Sequence, residues 1–323
     1  MTKTLFTTMA ALQLLMPCAA AWAQAYPVKP IRILSQFGAG APGDILMRFT
    51  ATRMAEVLGQ PVVVETRNGA NGVVAAGAGA RAVADGYTLI GLGAGVPVVQ
   101  VVAGRELPFN PVKDLTPISL VGNVTSVIVV GAASSSASLK DLLDQAKSNP
   151  EKITYGTTGI GSQHHLAGEQ IRMLAGAGWV HIPYKLAPLP DAASGAVTAA
   201  FTIAPQAMPM IKAGKLRVLA VLLDARMASL PDIPVVAEIV PGFEVPPSWA
   251  GLFGPAGLPP PLARRVNEAL WAALNTPEAR ARVESIGYEL GLNKSPDDYS
   301  AMLRRQIELI GRIVKAAKIT LAD

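Results

Sequence analysis

The sequence predicts an α/β protein with two lobes, each a mostly parallel sheet flanked by helices. Three observations carry this. The chain has 323 residues, enough for two domains of ordinary size. Half the residues are apolar and only 5% aromatic, with 30 glycines and 26 prolines, a balance that suits many short strand–helix turns. Finally, a strand–helix alternation in the first third of the chain restarts in the middle.

The first 25 residues read as a secretory leader. Lys3 gives a positive start, and an apolar run from Leu5 to Met16 follows. Ala21-Trp22-Ala23 and Ala23-Gln24-Ala25 both offer the small residues that signal peptidase prefers. The run is too short for a permanent anchor. Cys18 is the single cysteine; Pro17 stands where a lipoprotein signal needs a small residue. The mature chain, expected to be periplasmic, therefore has no thiol for disulfides, metal sites or nucleophilic chemistry. The net charge of +5 falls to +4 without Lys3, and no Lys/Arg run is dense enough to track nucleic acid.

Ile31-Arg32-Ile33-Leu34 reads as a strand, leading through a glycine-rich turn to a helix over 44–58. Gly59-Gln60-Pro61 stops it before a strand over 62–65; a small-residue helix over 72–84 and a strand over 87–90 complete a β-α-β-α-β unit. In the second unit Ser138 and Asp141 form a capping box for a helix reaching Lys147. A strand over 152–155, a helix over 162–174 and strands at 180–182, 199–201 and 216–222 follow. The proline-rich stretch 230–261 reads as a connection back to the first lobe. Helices are expected over 261–274, over 277–286 and from Pro296, the last capped by Ser295 with Asp298.

Parallel sheets bind ligands beyond the carboxyl ends of their strands. In the first turn, Phe37, Gly38, Ala39 and Gly40 let backbone amides approach an anion at a helix N-terminus. Asp44 reads as the helix cap more than as a ligand, because it would repel a carboxylate. Gly38, Gly40 and Gly43 also spell G-x-G-x-x-G, but Glu65 lies too far on for a dinucleotide fingerprint. In the second turn, Thr157, Thr158 and Gly159 precede Ser162 as cap, with His164 and His165 in the first helical turn. Adjacent histidines do not share a helix face and make poor metal partners. Gly93 and Ala94 end the third strand, and Thr202 ends a strand of the second unit. Each of these turns could equally be an ordinary tight connection. His181 reads as a satisfied core residue, and no G-x-S-x-G elbow, carboxylate pair or metal cluster emerges. No cofactor and no catalysis are expected.

The chain resembles the tripartite tricarboxylate transporter substrate-binding receptors, the Bug family, along the whole mature length. The resemblance rests on Tyr26-Pro27-Val28-Lys29-Pro30, Gly59-Gln60-Pro61, Asp85-Gly86-Tyr87-Thr88-Leu89 and Tyr155-Gly156-Thr157. His165-Leu166-Ala167-Gly168-Glu169, Pro183-Tyr184-Lys185, Ala213-Gly214-Lys215-Leu216-Arg217 and Pro241-Gly242-Phe243-Glu244 also carry it. It implies a Venus-flytrap fold, with lobes over 26–125 plus 246–323 and over 126–245. It also implies a carboxylate ligand held largely by backbone amides and waters, a monomer, and integral-membrane transporter subunits as partners. This chain departs from the family at Gln36 and Gly38, where Pro-Phe-Pro is usual, at Gly43, at Leu186, and at Thr202, where Asp is frequent. The missing carboxylate at Thr202 points to a mono- or dicarboxylate, aromatic acids included, over amino acids. A sensor for a signalling partner and a secreted hydrolase are the rival readings.

Overall fold

A computed structural model describes residues 26–104, 106–184, 186–227 and 229–320. The leader expected over 1–25 lies outside them. In chain order the first part forms β1 (Ile31–Ser35), α1 (Pro42–Leu58), β2 (Val62–Thr66), α2 (Val73–Ala80), β3 (Thr88–Gly93) and β4 (Leu115–Val124). Next come β5 (Ser126–Gly131), α3 (Leu139–Ser148), β6 (Thr154–Thr157), α4 (Gln163–Ala175) and β7 (Val180–Pro183). Then α5 (Leu189–Ser194), β8 (Ala199–Ile203), α6 (Ala204–Lys212), β9 (Leu216–Val221) and α7 (Val236–Ile239) follow. The chain closes with β10 (Trp249–Pro255), α8 (Pro260–Leu274), α9 (Pro277–Ile286), β11 (Tyr288–Leu290) and α10 (Pro296–Ala317).

Two sheets result, ordered β11-β4-β10-β3-β1-β2 and β7-β6-β8-β5-β9. In the first, β1 pairs in parallel with β2 and β3, while β10 runs against β3 and β4, and β11 against β4. In the second, β6 is parallel to β7 and β8, and only β5 is reversed. Every residue of β3, β5 and β10 is buried, as expected of strands covered on both faces.

Helices supply that cover. Leu46, Met47 and Met54 of α1 and Val266 and Leu270 of α8 pack on Ile33 and Leu89 from one side of the first sheet. On the other side Ala75 and Ala76 of α2 and Tyr299, Leu309 and Ile310 of α10 pack on Ile90, Leu92 and Phe253. In the second sheet Leu142 of α3 and Ile171 of α4 cover Tyr155 and Phe201, while Ala192 of α5 and Ala207 of α6 cover Val127 and Ala200.

The chain crosses between the sheets twice, first where β4 passes into β5 through Thr125 alone and then back along the segment between β9 and β10. Ser126 opens β5 opposite Ile203, the last residue of β8, and Val127 lies opposite Val221, the last of β9. On the other side of Thr125, Trp249 lies opposite Asn123 and Ala250 opposite Gly93. The carboxyl ends of β3 and β4 therefore meet those of β8 and β9 at this crossing.

Three expectations need correction. The stretch 230–261 is more than a connection, because it holds α7 and the central strand β10. Gly251 and Gly254 break its apolar run, and Gly251 is there because a Cβ would collide with the Tyr299 hydroxyl. Strand β6 sits two residues later than expected, so Gly156 and Thr157 belong to the strand and Thr157 lies opposite Pro183. Helix α2 ends at Ala80 instead of Ala84, as the Ala82 N–H turns back to Gly79 O at 3.0 Å.

Gly251→Ala is expected to destabilise the protein by about 1–3 kcal/mol in denaturant unfolding, the usual cost of overpacking a tight contact. Tyr299→Phe, which removes a buried hydroxyl without a partner, should be neutral or stabilising and should recover part of that loss in the double variant.

Candidate functional site

The first turn leaves β1 at Ser35 and enters α1 at Pro42, whose missing N–H costs nothing at a first helical position. Asp44 is buried, and its Oδ2 accepts from the Gly40 N–H and from Arg48 Nε, each at 3.0 Å. Burial pushes its carboxyl up, but the bonds from Arg48 and Gly40 outweigh burial and hold it below the ordinary range. Asp44 thus ties the loop to its own helix. The Gly40 amide is committed to that tie, whereas the N–H groups of Gly38, Ala39 and Gly43 find no acceptor among the described residues. The Phe37 ring lies directly over Gly43, in space that a Cβ at that position would occupy.

The second turn leaves β6 at Thr157. Its hydroxyl is fully engaged: it lies 2.7 Å from His181 Nε2, accepts from the Gly159 N–H at 3.2 Å and reaches Gly159 O at 3.3 Å. Ser162 caps α4, its Oγ accepting from the His165 N–H at 3.2 Å. His165 Nδ1 accepts from the Gly161 N–H at 3.1 Å, and its ring stacks on His181 with centroids 4.0 Å apart. The N–H groups of Thr158, Ile160, Gln163 and His164 remain without acceptors among the described residues. His164 is buried with Nε2 at 3.1 Å from Ser126 Oγ, and its Nδ1 has no partner. Ser126 opens β5, so His164 links the start of α4 to the crossing between the sheets.

The expected site residues fall into two groups. Phe37, Gly38, Ala39, Gly40, Asp44, Gly93 and Ala94 gather at the carboxyl end of the first sheet; a Cβ on Gly93 would stand 3.3 Å from Gln36 Nε2 and 3.8 Å from the Phe37 ring. Thr157, Thr158, Gly159, Ser162, His164, His165 and Thr202 gather at the carboxyl end of the second. Thr202 is buried, and its hydroxyl donates to Gln206 Oε1 at 3.3 Å.

A third loop of the first sheet went unforeseen. Between β2 and α2, Gly69, Ala70, Asn71 and Gly72 all have positive φ, at 138°, 44°, 52° and 100°. Left-handed backbone costs roughly 1–2 kcal/mol per non-glycine residue, so this loop stores strain of the kind that gathers at functional sites. It touches the first turn: Asn68 Nδ2 would lie 3.2 Å from a Cβ on Gly38, and Gln36 Oε1 sits over Gly72, buried and unpartnered. The paired Asn68-Gly69 and Asn71-Gly72 steps are the turn signal that marks this loop in sequence.

Of the residues named at these turns, only Asp44 carries charge, and Arg48 pairs with it. Burial pushes His164 down to about 4; burial and the neighbouring His165 push His181 to about 4; burial also lowers His165. All three rings are therefore neutral near pH 7. Among the described residues no group of three or more His, Cys, Asp or Glu could hold a metal. The chemistry on offer is amide and hydroxyl hydrogen bonding at two helix N-termini.

This is the architecture of a two-lobed solute-binding protein. Residues 46–319 match the family described as tripartite tricarboxylate transporter family receptor, and the chain belongs to that family. It is 35% identical to Protein BugT of Bordetella pertussis over 256 residues, covering 77% of this chain and 78% of BugT. Among solved structures it is similar to R. palustris Rpa4515 with adipate, at 30% identity, 91% and 99% coverage and a TM-score of 0.75. It is also similar to MatC (Rpa3494) from Rhodopseudomonas palustris with bound malate, at 26% identity, 90% and 100% coverage and a TM-score of 0.69.

The histidine shifts set a pH dependence. His164 and His181 titrate near 6.5 when unfolded and near 4 when folded, so both are neutral in either state above pH 6.5. Below it the unfolded chain takes up protons that the folded one refuses, and stability falls as pH drops from 6.5 towards 4. Melting temperatures across that interval should decline steadily, and His164→Gln should make the decline shallower.

Proposed function

We propose that the chain is an exported receptor that captures a small organic acid between its two sheets and delivers it to integral-membrane transporter subunits. The lobes are residues 26–125 with 246–323, and residues 126–245; the protein is a monomer without catalytic activity, and the ligand lies between the carboxyl ends of the two sheets. The observation that carries this is the set of N–H groups without acceptors among the described residues, at Gly38, Ala39, Gly43, Thr158, Ile160, Gln163 and His164, around neutral histidines. Such groups stabilise a carboxylate through hydrogen bonds and the positive ends of α1 and α4, without a salt bridge. Family membership and the adipate and malate in the two structural relatives support the same class of ligand.

Mono- and dicarboxylates, aromatic acids among them, are preferred over amino acids. Thr202 offers a hydroxyl already committed to Gln206, and Asp44, the one carboxylate among the named site residues, is buried and its charge is met by Arg48, although its Oδ1 has no hydrogen-bond partner. Ligand capture is by hinge closure about the crossing segments.

Thermal-shift and calorimetric titration with adipate, malate and benzoate, set against aspartate and glutamate, test this reading. A true ligand at a hundredfold excess over its Kd adds about 2.7 kcal/mol and raises the melting temperature by several degrees. Tight binding of the amino acids with none of the simple acids would overturn the preference, and turnover of model esters by the pure protein would overturn the receptor reading. Gly43→Ala, which forces the Phe37 ring away from the first turn, should weaken the preferred acid about tenfold.

A further inference from the structure

At the opposite edges of the two sheets, beside β9 and β11, lies a cavity of about 770 Å3, a volume typical of small-ligand sites. None of the glycine-rich turns lines it. One wall is a face of α6, with Pro205, Met208 and Lys212, continued by Leu223 and Met227 beyond β9. The other wall comes from α9 and β11, with Ala281, Glu284, Ser285 and Glu289. The floor is the crossing itself, where the Thr125 N–H donates to Gly287 O at 3.0 Å. The two walls therefore belong to different sheets.

The charges of this cavity are unevenly satisfied. Arg226 is already held by Glu238 at 2.9 and 2.5 Å and by Pro231 O at 3.1 Å. Lys212 sits at the exposed end of α6. Glu289, by contrast, is half-buried, and no side chain among the described residues donates to its carboxylate. Burial and the nearby charges of Asp224 and Glu284 push that carboxyl up against the opposite pull of Arg280. An apolar wall rich in methionine and proline thus faces two carboxylates, the exposed Glu284 and the half-buried Glu289, that no side chain among the described residues pairs. Methionine thioethers adapt to irregular apolar bodies, and an ammonium group would relieve the Glu289–Glu284–Asp224 repulsion.

We propose that this rear cavity is a second ligand site, taking a small amphipathic organic cation such as a primary alkylamine. The ammonium pairs with Glu289 and Glu284 while the alkyl chain lies along Met208, Leu223 and Met227, so the bound amine bridges the two walls.

Calorimetric titration of the full chain near neutral pH, with no carboxylate ligand present, tests this independently of the front cleft. The probes are n-octylammonium and n-octanol. Saturable one-site binding of octylammonium is expected, with octanol at least tenfold weaker. Glu289→Gln should lower octylammonium affinity about tenfold and abolish its advantage over octanol. Met208→Lys, on the partly exposed face of α6, should lower it at least as much, and it keeps the test open if the Glu289 variant folds poorly. Equal binding of the two probes, no saturable binding of octylammonium, or unchanged affinity in both variants would overturn the proposal.

Discussion

The molecule is organised around one tripeptide, Val124-Thr125-Ser126, whose backbone is bonded to four separate segments. Val124 N–H donates to Ser248 O at 2.7 Å and Thr125 N–H to Gly287 O at 3.0 Å. Thr125 O accepts from Ala204 and Ser126 O from Leu222, each at 2.9 Å. Both crossings of the chain are thereby held side by side, and the last turn of α9 is fixed to the start of α6. With one residue between β4 and β5, the relative setting of the sheets is left to very few torsions. Contacts farther out bear on the same setting: Arg312 pairs with Glu244 at 2.7 Å, and Leu166 of α4 packs among the side chains of α10. The ion pair is exposed and contributes little, so the apolar contact and the tripeptide dominate.

What this frame positions at the two turns is mainly backbone. Glycine at 43 and 72 is required because Phe37 and Gln36 occupy the space a Cβ would need. Of the two side chains that look most able to reach a ligand, Asp44 commits Oδ2 to Gly40 and Arg48 while its Oδ1 is buried without a partner, and the Thr157 hydroxyl is taken by Gly159 and His181. Both hold turns in which the remaining N–H groups find no acceptor among the described residues. The neutral histidines behave similarly: His181 braces Thr157, His165 braces Gly161, and His164 ties α4 to Ser126. On the receptor reading proposed above, a pre-organised set of amides loses little entropy on binding.

Much of this was legible in the sequence. The caps at Ser138, Ser162 and Ser295 fix helix starts by local chemistry, and all three stand where the residues indicated. Strand β10 was hidden because Gly251 in its middle answers to Tyr299, a residue distant in sequence. The register of β6 was missed for the same reason, since the Thr154 N–H bonds to Thr198, which no local pattern reports. At the site, the glycine-rich turns were visible but not the division of their amides into committed and free. That division depends on where the Asp44, Thr157 and His165 side chains turn back. The β2–α2 loop carried its turn signal openly, yet its nearness to Gly38 and Gly95 arises only when β1, β2 and β3 lie side by side.

Trp249 holds a position with a practical outcome. It opens β10 directly after the second crossing, its carbonyl faces Gly93, and its indole N–H donates to Gln306 on α10 at 2.8 Å. Trp179 is sealed inside the second lobe against Tyr155, and Trp271 on α8 donates to Asn293 O, far from the crossing. Of these three indoles, Trp249 is the one placed beside the end of β3 and the crossing. On the proposed receptor reading its emission is a native optical gauge of closure, and a Trp271→Phe background would isolate that signal without attaching a dye.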